Sequence, residues 1–408
     1  MKNNILKAVW FTLFFLRRAS RFLKRKRKKE AIGLVVNSFD KGGLEQVVLN
    51  LYYNYRKQGY ETYILVQNNE TGYFASLLFD ARHVRIFCAN KYDLILFCWK
   101  KNINVLHYHY NTLGIKAAKA LGIKTTYTIH NVYTWMDDEQ IRCLVEDLKS
   151  ADNVVAVSGG VKEYFCRRTR LPQNRVTVIV NGVDFNVLDE CRESPITRES
   201  LGIKNDEVVF VNIASFHRVK HHANMIGALE SAIQRNKKIR LLFVGNIGDQ
   251  TYYNTINEMM ACSEAKNNIM KIPYLEHKHV GCFLRKVADV FILPSLQEGC
   301  SNAVLEAFYC GIPMILTKVG NAEEIITYAA GIVVDPAYKD ILELDSIAIE
   351  ELSNTKVNSN TNQLCTAMLE IAGKLDTYKE EALKKASFSS NFNSKEMAEK
   401  YLRLILYE

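Results

Sequence analysis

The sequence predicts an α/β protein built from two doubly wound, Rossmann-like domains facing a cleft, and three observations carry that prediction. From Ala31 onward, apolar runs rich in Val, Ile and Tyr alternate with helix-period stretches, as in successive strand–helix units. The alternation breaks once, in the polar stretch Asp189 to Asp206, and then restarts. The length of 408 residues suits two such units, at roughly 100 to 200 residues per domain.

In the first half, strands are predicted at Ile32 to Phe39, Tyr60 to Val66, Asn104 to Tyr108, Thr125 to His130, Val154 to Ser158 and Val176 to Val180. Between the first two, Val47, Val48, Leu51, Tyr52 and Tyr55 recur at helical spacing, and Gly59 follows as a C-terminal cap would. After the break, strands are predicted at Val208 to Ala214, Ile239 to Gly245, Asn268 to Tyr274, Ala288 to Pro294, Pro313 to Val319 and Ile332 to Asp335. Lys395 to Tyr407 reads as a last helix. The expected organisation is a basic segment over 1–30, a first domain over 31–188, a second over 204–388 and a terminal helix over 389–408 packing back on the first domain.

Charge is concentrated at one end. Of 53 Lys and Arg, eleven lie in residues 1–30 beside a single acid, Glu30, which leaves 42 basic against 43 acidic side chains in the body. The apolar run Ala8 to Leu16 spans about 14 Å as a helix, against about 30 Å of bilayer core, so it cannot cross a membrane alone. On a helical wheel Phe15, Leu16, Ala19, Phe22 and Leu23 oppose Arg17, Arg18, Arg21, Lys24 and Arg25. This is the pattern of an interfacial helix on an anionic membrane surface, with a disordered basic tail as the plainer alternative. A nucleic-acid arm has no use for Trp10, Phe11, Phe14 and Phe15, so no nucleic-acid partner is expected. Ten Cys stand singly without a C-x-x-C pair or zinc-finger spacing, as in reduced thiols of a cytosolic protein.

Two loops are candidates for chemistry. Gly42-Gly43 lies between the first strand and first helix, where backbone N–H groups and the helix dipole favour an anion, although taken alone the loop reads first as a simple turn. It matches neither G-x-G-x-x-G nor a P-loop. Glu298-Gly299-Cys300-Ser301-Asn302-Ala303-Val304-Leu305-Glu306 follows a strand and places one carboxylate in a loop and the next inside a helix. The loop carboxylate would suit sugar hydroxyls, the helical one a ribose diol, and the intervening amides an anion.

Glu298 and Glu306 with seven residues between them, after Leu293-Pro294-Ser295 and before Gly311-Ile312-Pro313 and Val319-Gly320-Asn321, resemble the signature of retaining glycosyltransferases of family 4. In the first half Gly42-Gly43-Leu44-Glu45, Thr128-Ile129-His130-Asn131, Val157-Ser158 and Asn181-Gly182-Val183-Asp184 are similar too, so the likeness runs from about residue 32 to 335. The resemblance implies a GT-B fold, with the acceptor mostly in the first domain and the nucleotide sugar mostly in the second. It implies that Glu306 holds the ribose, that Glu298 with the amides of Gly299, Cys300, Ser301 and Asn302 holds sugar and phosphates, and that Gly42 and Gly43 approach the diphosphate. His130 matches the family's loop histidine on the donor sugar, and Lys220 its diphosphate lysine. Ser215 departs from the pattern, because many members carry Arg five residues before that lysine, and Arg218 is the candidate to replace its charge.

Breaking the anomeric C–O bond develops positive charge on the sugar and negative charge on the diphosphate, so the reaction asks for charge stabilisation. The resemblance implies retention by same-face attack, without a covalent carboxylate and without a metal, and no D-x-D stands between a strand and a loop. With the basic amino terminus, this leads to the expectation of a transferase at the cytoplasmic face of the cell membrane. It would use a nucleotide sugar, UDP by family frequency, and a lipid-linked saccharide acceptor in capsule, O-antigen or exopolysaccharide assembly. A nucleotide-sugar epimerase and an inactive glycan- or nucleotide-binding protein are the alternatives.

Overall fold

The computed structural model of the chain describes residues 30–40, 42–68, 83–87, 90–190, 193–272 and 274–407. The amphipathic helix expected over the first 29 residues lies outside the described residues. Among the described residues, strands β1 (Ala31–Val36), β2 (Glu61–Val66), β3 (Val84–Ile86), β4 (Ile103–His109), β5 (Lys124–Ile129), β6 (Asn153–Ala156) and β7 (Val176–Val178) form one parallel sheet. Its order is β3-β2-β1-β4-β5-β6-β7. Strands β8 (Val208–Ile213), β9 (Ile239–Val244), β10 (Ile269–Ile272), β11 (Val290–Leu293), β12 (Met314–Thr317) and β13 (Gly331–Val334) form the second, in the order β10-β9-β8-β11-β12-β13. Helices cover both faces, which is why a central strand such as β1 is buried at every position and reads as an unbroken apolar run. The short edge strand β3 is half exposed and too brief for a periodic signal, and it is the one strand that the sequence pattern does not announce.

In both sheets the chain reverses its direction of strand addition once, between β1 and β4 and between β8 and β11. The loops diverge there, so the carboxyl ends of those four strands border the two natural crevices of the fold. Helix α1 (Gly43–Lys57) leaves the first crevice. It buries Val47, Val48, Leu51, Tyr52 and Tyr55, where a fully buried large apolar side chain contributes about 1.5 to 3 kcal/mol. It stops at Gly59, whose φ of 84° suits glycine, as the Gly59 amide bonds the Arg56 carbonyl and the Tyr60 amide that of Tyr55.

Among the described residues the chain crosses between domains twice. The outward crossing runs past Val183, and the return passes through a 3₁₀ segment, Ala386–Phe392, into the last helix, Ser394–Tyr407. That helix sets Met397, Tyr401, Leu402 and Ile405 into the apolar cluster of β1 and α1. The two crossings touch, because Val183 pairs in parallel with Asn393 and the Ser394 amide donates to the Val183 carbonyl at 2.9 Å. A Cβ at Gly182 would lie 2.5 Å from the Asn393 carbonyl oxygen, so a side chain there would force the crossings apart.

Candidate active site

The crevice of the second sheet gathers two of the expected residues. Lys220 ends a 3₁₀ turn, Arg218–Lys220, after β8, and Glu298 lies in the loop after β11. Lys220 Nζ stands 2.5 Å from Glu298 Oε1, which also accepts from Ser295 Oγ at 2.6 Å. The Ser295 carbonyl in turn accepts from Thr317 Oγ1 at 2.6 Å, which fixes the loop on β12. With side chains 21% and 12% exposed, the pair sits where charges attract more strongly than at an open surface. Helix α2 (Asn302–Tyr309) opens just beyond, with Ser301 as its N-cap and no side-chain capping bond. Its first-turn amides have no intrahelical partners, so the loop ends as an anion-binding terminus.

Glu306 lies inside α2 and is buried. Its Oε1 is 2.9 Å from Nε2 of His277, the first residue of helix α3 (His277–Val287). Burial opposes charge on His277, but the Glu306 hydrogen bond and charge, with Asp184 behind them, lift its pKa above the ordinary histidine value. Glu306 is therefore held by a histidine hydrogen bond that becomes an ion pair when the His277 ring is protonated.

Glycines bring the two domains into backbone contact around these residues. A Cβ at Gly299 would fall 1.8 Å from the His130 carbonyl oxygen, and one at Gly320, whose φ is 59°, would fall 2.7 Å from that of Gly299. Asn302 Nδ2 donates to the Gly43 carbonyl at 3.2 Å, tying the second domain's helix start to the first domain's glycine loop. Thr134 Oγ1 donates to Gln297 Oε1 at 2.8 Å across the same boundary. Space beside Gly42 is filled by the flexible end of Glu45, while nothing lies within 4 Å of a Cβ built at Gly43. Gly43 thus leaves open room at the start of α1.

His130 is buried at the end of β5, and burial alone drives its pKa down to about 3. Its Nε2 lies 2.7 Å from His109 Nδ1. His109 Nε2 is buried without a hydrogen-bond partner, and a bare lone pair there costs less than an orphaned N–H. The proton of His109 therefore sits on Nδ1 and is donated to His130, whose own proton sits on Nδ1. Held neutral in that tautomer, His130 offers an N–H donor. The row continues inward: the rings of His107 and His109 are 4.2 Å apart, His107 Nε2 lies 2.8 Å from Thr128 Oγ1, and Thr128 Oγ1 lies 3.1 Å from the Tyr401 hydroxyl of the last helix.

The remaining expected residues have these surroundings. Arg218 pairs with Asp249 at 3.1 Å and Glu350 at 3.5 Å, with its guanidinium 5.9 Å over Tyr252. Cys300 is buried, its thiol pushed up to about 12 by burial, and it accepts from Asn321 Nδ2 at 3.1 Å, which leaves only its backbone for the cleft. Ser215 packs beside Gly248. Sequence reasoning misses His109 and His277. The alternation His107-Tyr108-His109 does put two histidines on one face of β4, whereas nothing local pairs His277 with Glu306. Tyr110 is missed as well. It adopts φ 63° after β4, a conformation costly for a bulky residue, and its ring centroid lies 5.8 Å from that of His130.

Glu298 also borders a cavity of about 640 Å³ between the domains, shared with Lys318, Gly320, Tyr164 and Gly160. Among the described residues no group of three His, Cys, Asp or Glu is placed to hold a metal ion, and no helix is long and apolar enough to cross a membrane.

Two facing Rossmann-like domains with a Lys–Glu pair at one crevice and a glycine loop at the other define a GT-B architecture. Residues 41–187 match the model of Glycosyltransferase Family 4 and residues 193–363 that of Glycosyl transferases group 1, and the chain belongs to the family 4 glycosyltransferases. It is 22% identical over 270 residues to the phosphatidylinositol N-acetylglucosaminyltransferase gpi3 subunit of Schizosaccharomyces pombe, covering 64% of this chain and 57% of that one. It is 23% identical over 238 residues to the N-acetyl-alpha-D-glucosaminyl L-malate synthase of Bacillus anthracis, covering 56% of this chain and 60% of that one. The chain thus spans less than two thirds of the length of these curated relatives. Among solved structures, Anabaena HepE in complex with UDP-glucose superposes with a TM-score of 0.73 at 17% identity, over 91% of this chain and 97% of that one. WaaG, a glycosyltransferase of lipopolysaccharide biosynthesis, does so with 0.62 at 14%, over 92% and 100%. At these identities the two structures establish the fold alone.

Proposed function

We propose that the protein is a retaining glycosyltransferase that moves a sugar from a nucleotide-sugar donor, with UDP as the favoured nucleotide, to a lipid-linked saccharide in cell-surface polysaccharide assembly. The Lys220–Glu298 contact at the crevice of the second sheet carries this reading. A donor diphosphate entering there offers Lys220 a stronger partner, and the freed Glu298 carboxylate turns to the hydroxyls of the sugar. Lys220 and the amides opening α2 stabilise the leaving diphosphate as the anomeric bond breaks, a role that asks for no metal. Glu306 takes the ribose, and His130 donates its Nδ1 proton in a hydrogen bond to the sugar. The names of the relatives agree with this scheme, since one structure holds UDP-glucose and one relative is named for transfer to phosphatidylinositol. The basic amphipathic pattern of residues 1–29 supports peripheral attachment to the inner face of the membrane.

Thermal unfolding with UDP, GDP, ADP, CMP or NAD in separate wells tests the donor. A ligand at about 100 times its Kd adds about 2.7 kcal/mol, or several degrees. A shift with one nucleoside diphosphate alone is expected, and no shift with any would remove the donor assignment. Radiolabelled UDP-glucose or UDP-N-acetylglucosamine with a lipid extract then separates transfer to lipid from interconversion of the free nucleotide sugar. Deleting residues 1–29 is expected to release the protein from membranes, and full retention would remove the anchoring role.

A further inference from the structure

Four non-glycine residues among those described have a left-handed backbone, and three of them close helices. Asn102 ends the helix Lys91–Lys101, Arg170 the helix Gly159–Thr169, and His221 the 3₁₀ turn of Lys220. Tyr110 is the fourth, at φ 63°, and it follows strand β4, where no helix end asks for that conformation. Glycine or asparagine would adopt it at less cost than a bulky aromatic residue. Such strain persists only where the surroundings over-determine it, and it gathers at functional sites. The contacts that hold the Tyr110 side chain in place lead to His130.

His109 and Tyr110 are consecutive, yet they reach His130 as members of different groups. His109 belongs to the row that runs through His107 to Tyr401 of the last helix, and it meets His130 Nε2 through one hydrogen bond at 2.7 Å. Tyr110 belongs with Tyr133 and Trp135, at ring-centroid distances of 5.7 and 6.0 Å. From there its ring lies 5.8 Å from that of His130, tilted by 55°, within the roughly 4.5 to 7 Å over which aromatic rings attract. One hydrogen bond fixes the Nε2 end of the imidazole but leaves rotation about the N···N axis, and with it the direction of the Nδ1 proton. A second ring packed against the imidazole removes that freedom. Burial, then Tyr127 and the carboxylates of Glu45 and Glu298, raise the Tyr110 hydroxyl above the ordinary tyrosine value, so it stays neutral and adds no charge beside His130. The influence of Glu45 and Glu298 together also sets this side chain at the meeting of the two catalytic loops.

We propose that Tyr110 is a positioning residue for His130: its strained backbone holds an aromatic ring against the imidazole and so gives the Nδ1 proton a single direction. This role rests on the reading that His130 donates to the donor sugar, whereas the ring contact stands on the geometry alone.

The test sets Tyr110→Phe, which keeps the ring, against Tyr110→Asn, which tolerates the backbone and removes the ring. In NMR of the full chain without ligand, the ring-carbon protons of His130 should resonate alike in the parent and Tyr110→Phe. In Tyr110→Asn they should shift and broaden, as the ring current and the restraint are lost together. With UDP-glucose or UDP-N-acetylglucosamine as donor and a lipid extract as acceptor, Tyr110→Asn should lower kcat about 10- to 100-fold and leave the donor KM nearly unchanged, while Tyr110→Phe keeps most of the activity. A role in packing alone would lower the Tm and leave both readouts of the folded protein unmoved. If Tyr110→Asn does not fold, Tyr110→Gly, for which a φ of 63° carries no penalty, takes its place. His130 signals or kcat unmoved in the ring-less variant, or an equal loss of kcat in Tyr110→Phe, overturns the proposal. His130 signals that move as expected, in a protein that turns over neither donor, would leave the contact standing and remove the transferase reading.

Discussion

His109 Nδ1 and His130 Nε2 share one proton across 2.7 Å, and because His109 Nε2 is buried without a partner, that proton belongs to His109. The consequence is measurable without substrate. Nitrogen-15 NMR at pH 7 should show His130 protonated at Nδ1 and bare at Nε2, and the opposite tautomer would contradict the donor role given to it. His109→Phe should lower kcat more than it raises the KM for the donor, since it releases the orientation of His130 and leaves the nucleotide pocket intact, and His109→Gln should recover part of the loss.

Lys220 and Glu298 are expected to be coupled in stability and separate in catalysis. Glu298→Gln keeps the shape that accepts from Ser295 Oγ but removes the charge, and kcat should fall by about 10²- to 10³-fold. Lys220→Met should do at least as much, with weaker nucleotide binding. Because each is the other's partner when no ligand is present, the two losses of folding stability should be non-additive by about 0.5 to 3 kcal/mol in a double-mutant cycle. Additive losses, or full activity in Glu298→Gln, would remove the site assignment.

Gly299→Ala tests the domain contact. The new methyl group would sit 1.8 Å from the His130 carbonyl, a backbone atom that cannot swing aside. The domains must part by roughly an ångström, a displacement that can cost about 10²-fold in rate. Small-angle scattering should record a larger radius of gyration while the circular dichroism of the sheets is unchanged.

Glu306→Ala should reverse the direction of the His277 shift. Burial, the largest influence on that ring, works against its charge, and only the Glu306 carboxylate and the more distant Asp184 oppose it. In the parent the imidazole should titrate above the ordinary value of about 6.5, and in the variant below it. Loss of the carboxylate should also weaken nucleotide binding by about tenfold or more.

Stability should fall steeply in weak acid. Burial holds His107, His130 and His222 at about 3 and His221 at about 4, whereas an unfolded chain protonates them at about 6.5. Between those limits the unfolded state binds more protons, so each histidine removes up to about 1.4 kcal/mol for every pH unit below 6.5. His277 has the opposite sign: its contribution is complete below 6.5 and is lost as pH rises through its elevated folded value. Denaturant titrations from pH 7.5 to 5 should show the midpoint dropping as pH falls, and a flat profile would contradict the burial of these rings.

The two sheets are legible in the sequence because a strand buried on both faces cannot alternate, so β1, β8 and β11 each announce themselves as predominantly apolar runs. Glu298 and Glu306 are legible through their spacing around a helix start, and Gly299 as part of that motif, while the His130 carbonyl that demands a glycine there shows only in the fold. Partnerships made across the fold are not legible. His277 meets Glu306 from 29 residues away, Tyr401 reaches Thr128 from 273, and Arg218 is drawn to Asp249 and Glu350 by groups that its own neighbourhood in sequence does not display. The Asn181-Gly182-Val183-Asp184 motif reads in the sequence only as a family marker. Its glycine is needed where two distant stretches of backbone touch.

That touch point has a mechanical meaning. Both polypeptide links between the domains run side by side at Val183 and Asn393, bonded to each other, so the two halves share a single fulcrum. Any swing of one half against the other leaves this spot nearly still and moves the far lips of the cleft most. Links held together at the fulcrum are strained least by such a swing, so the cleft can widen and narrow without tearing a sheet. A cut at residue 386 would sever one of the two links and also strip the last helix from α1, turning a guided swing into an unguided one.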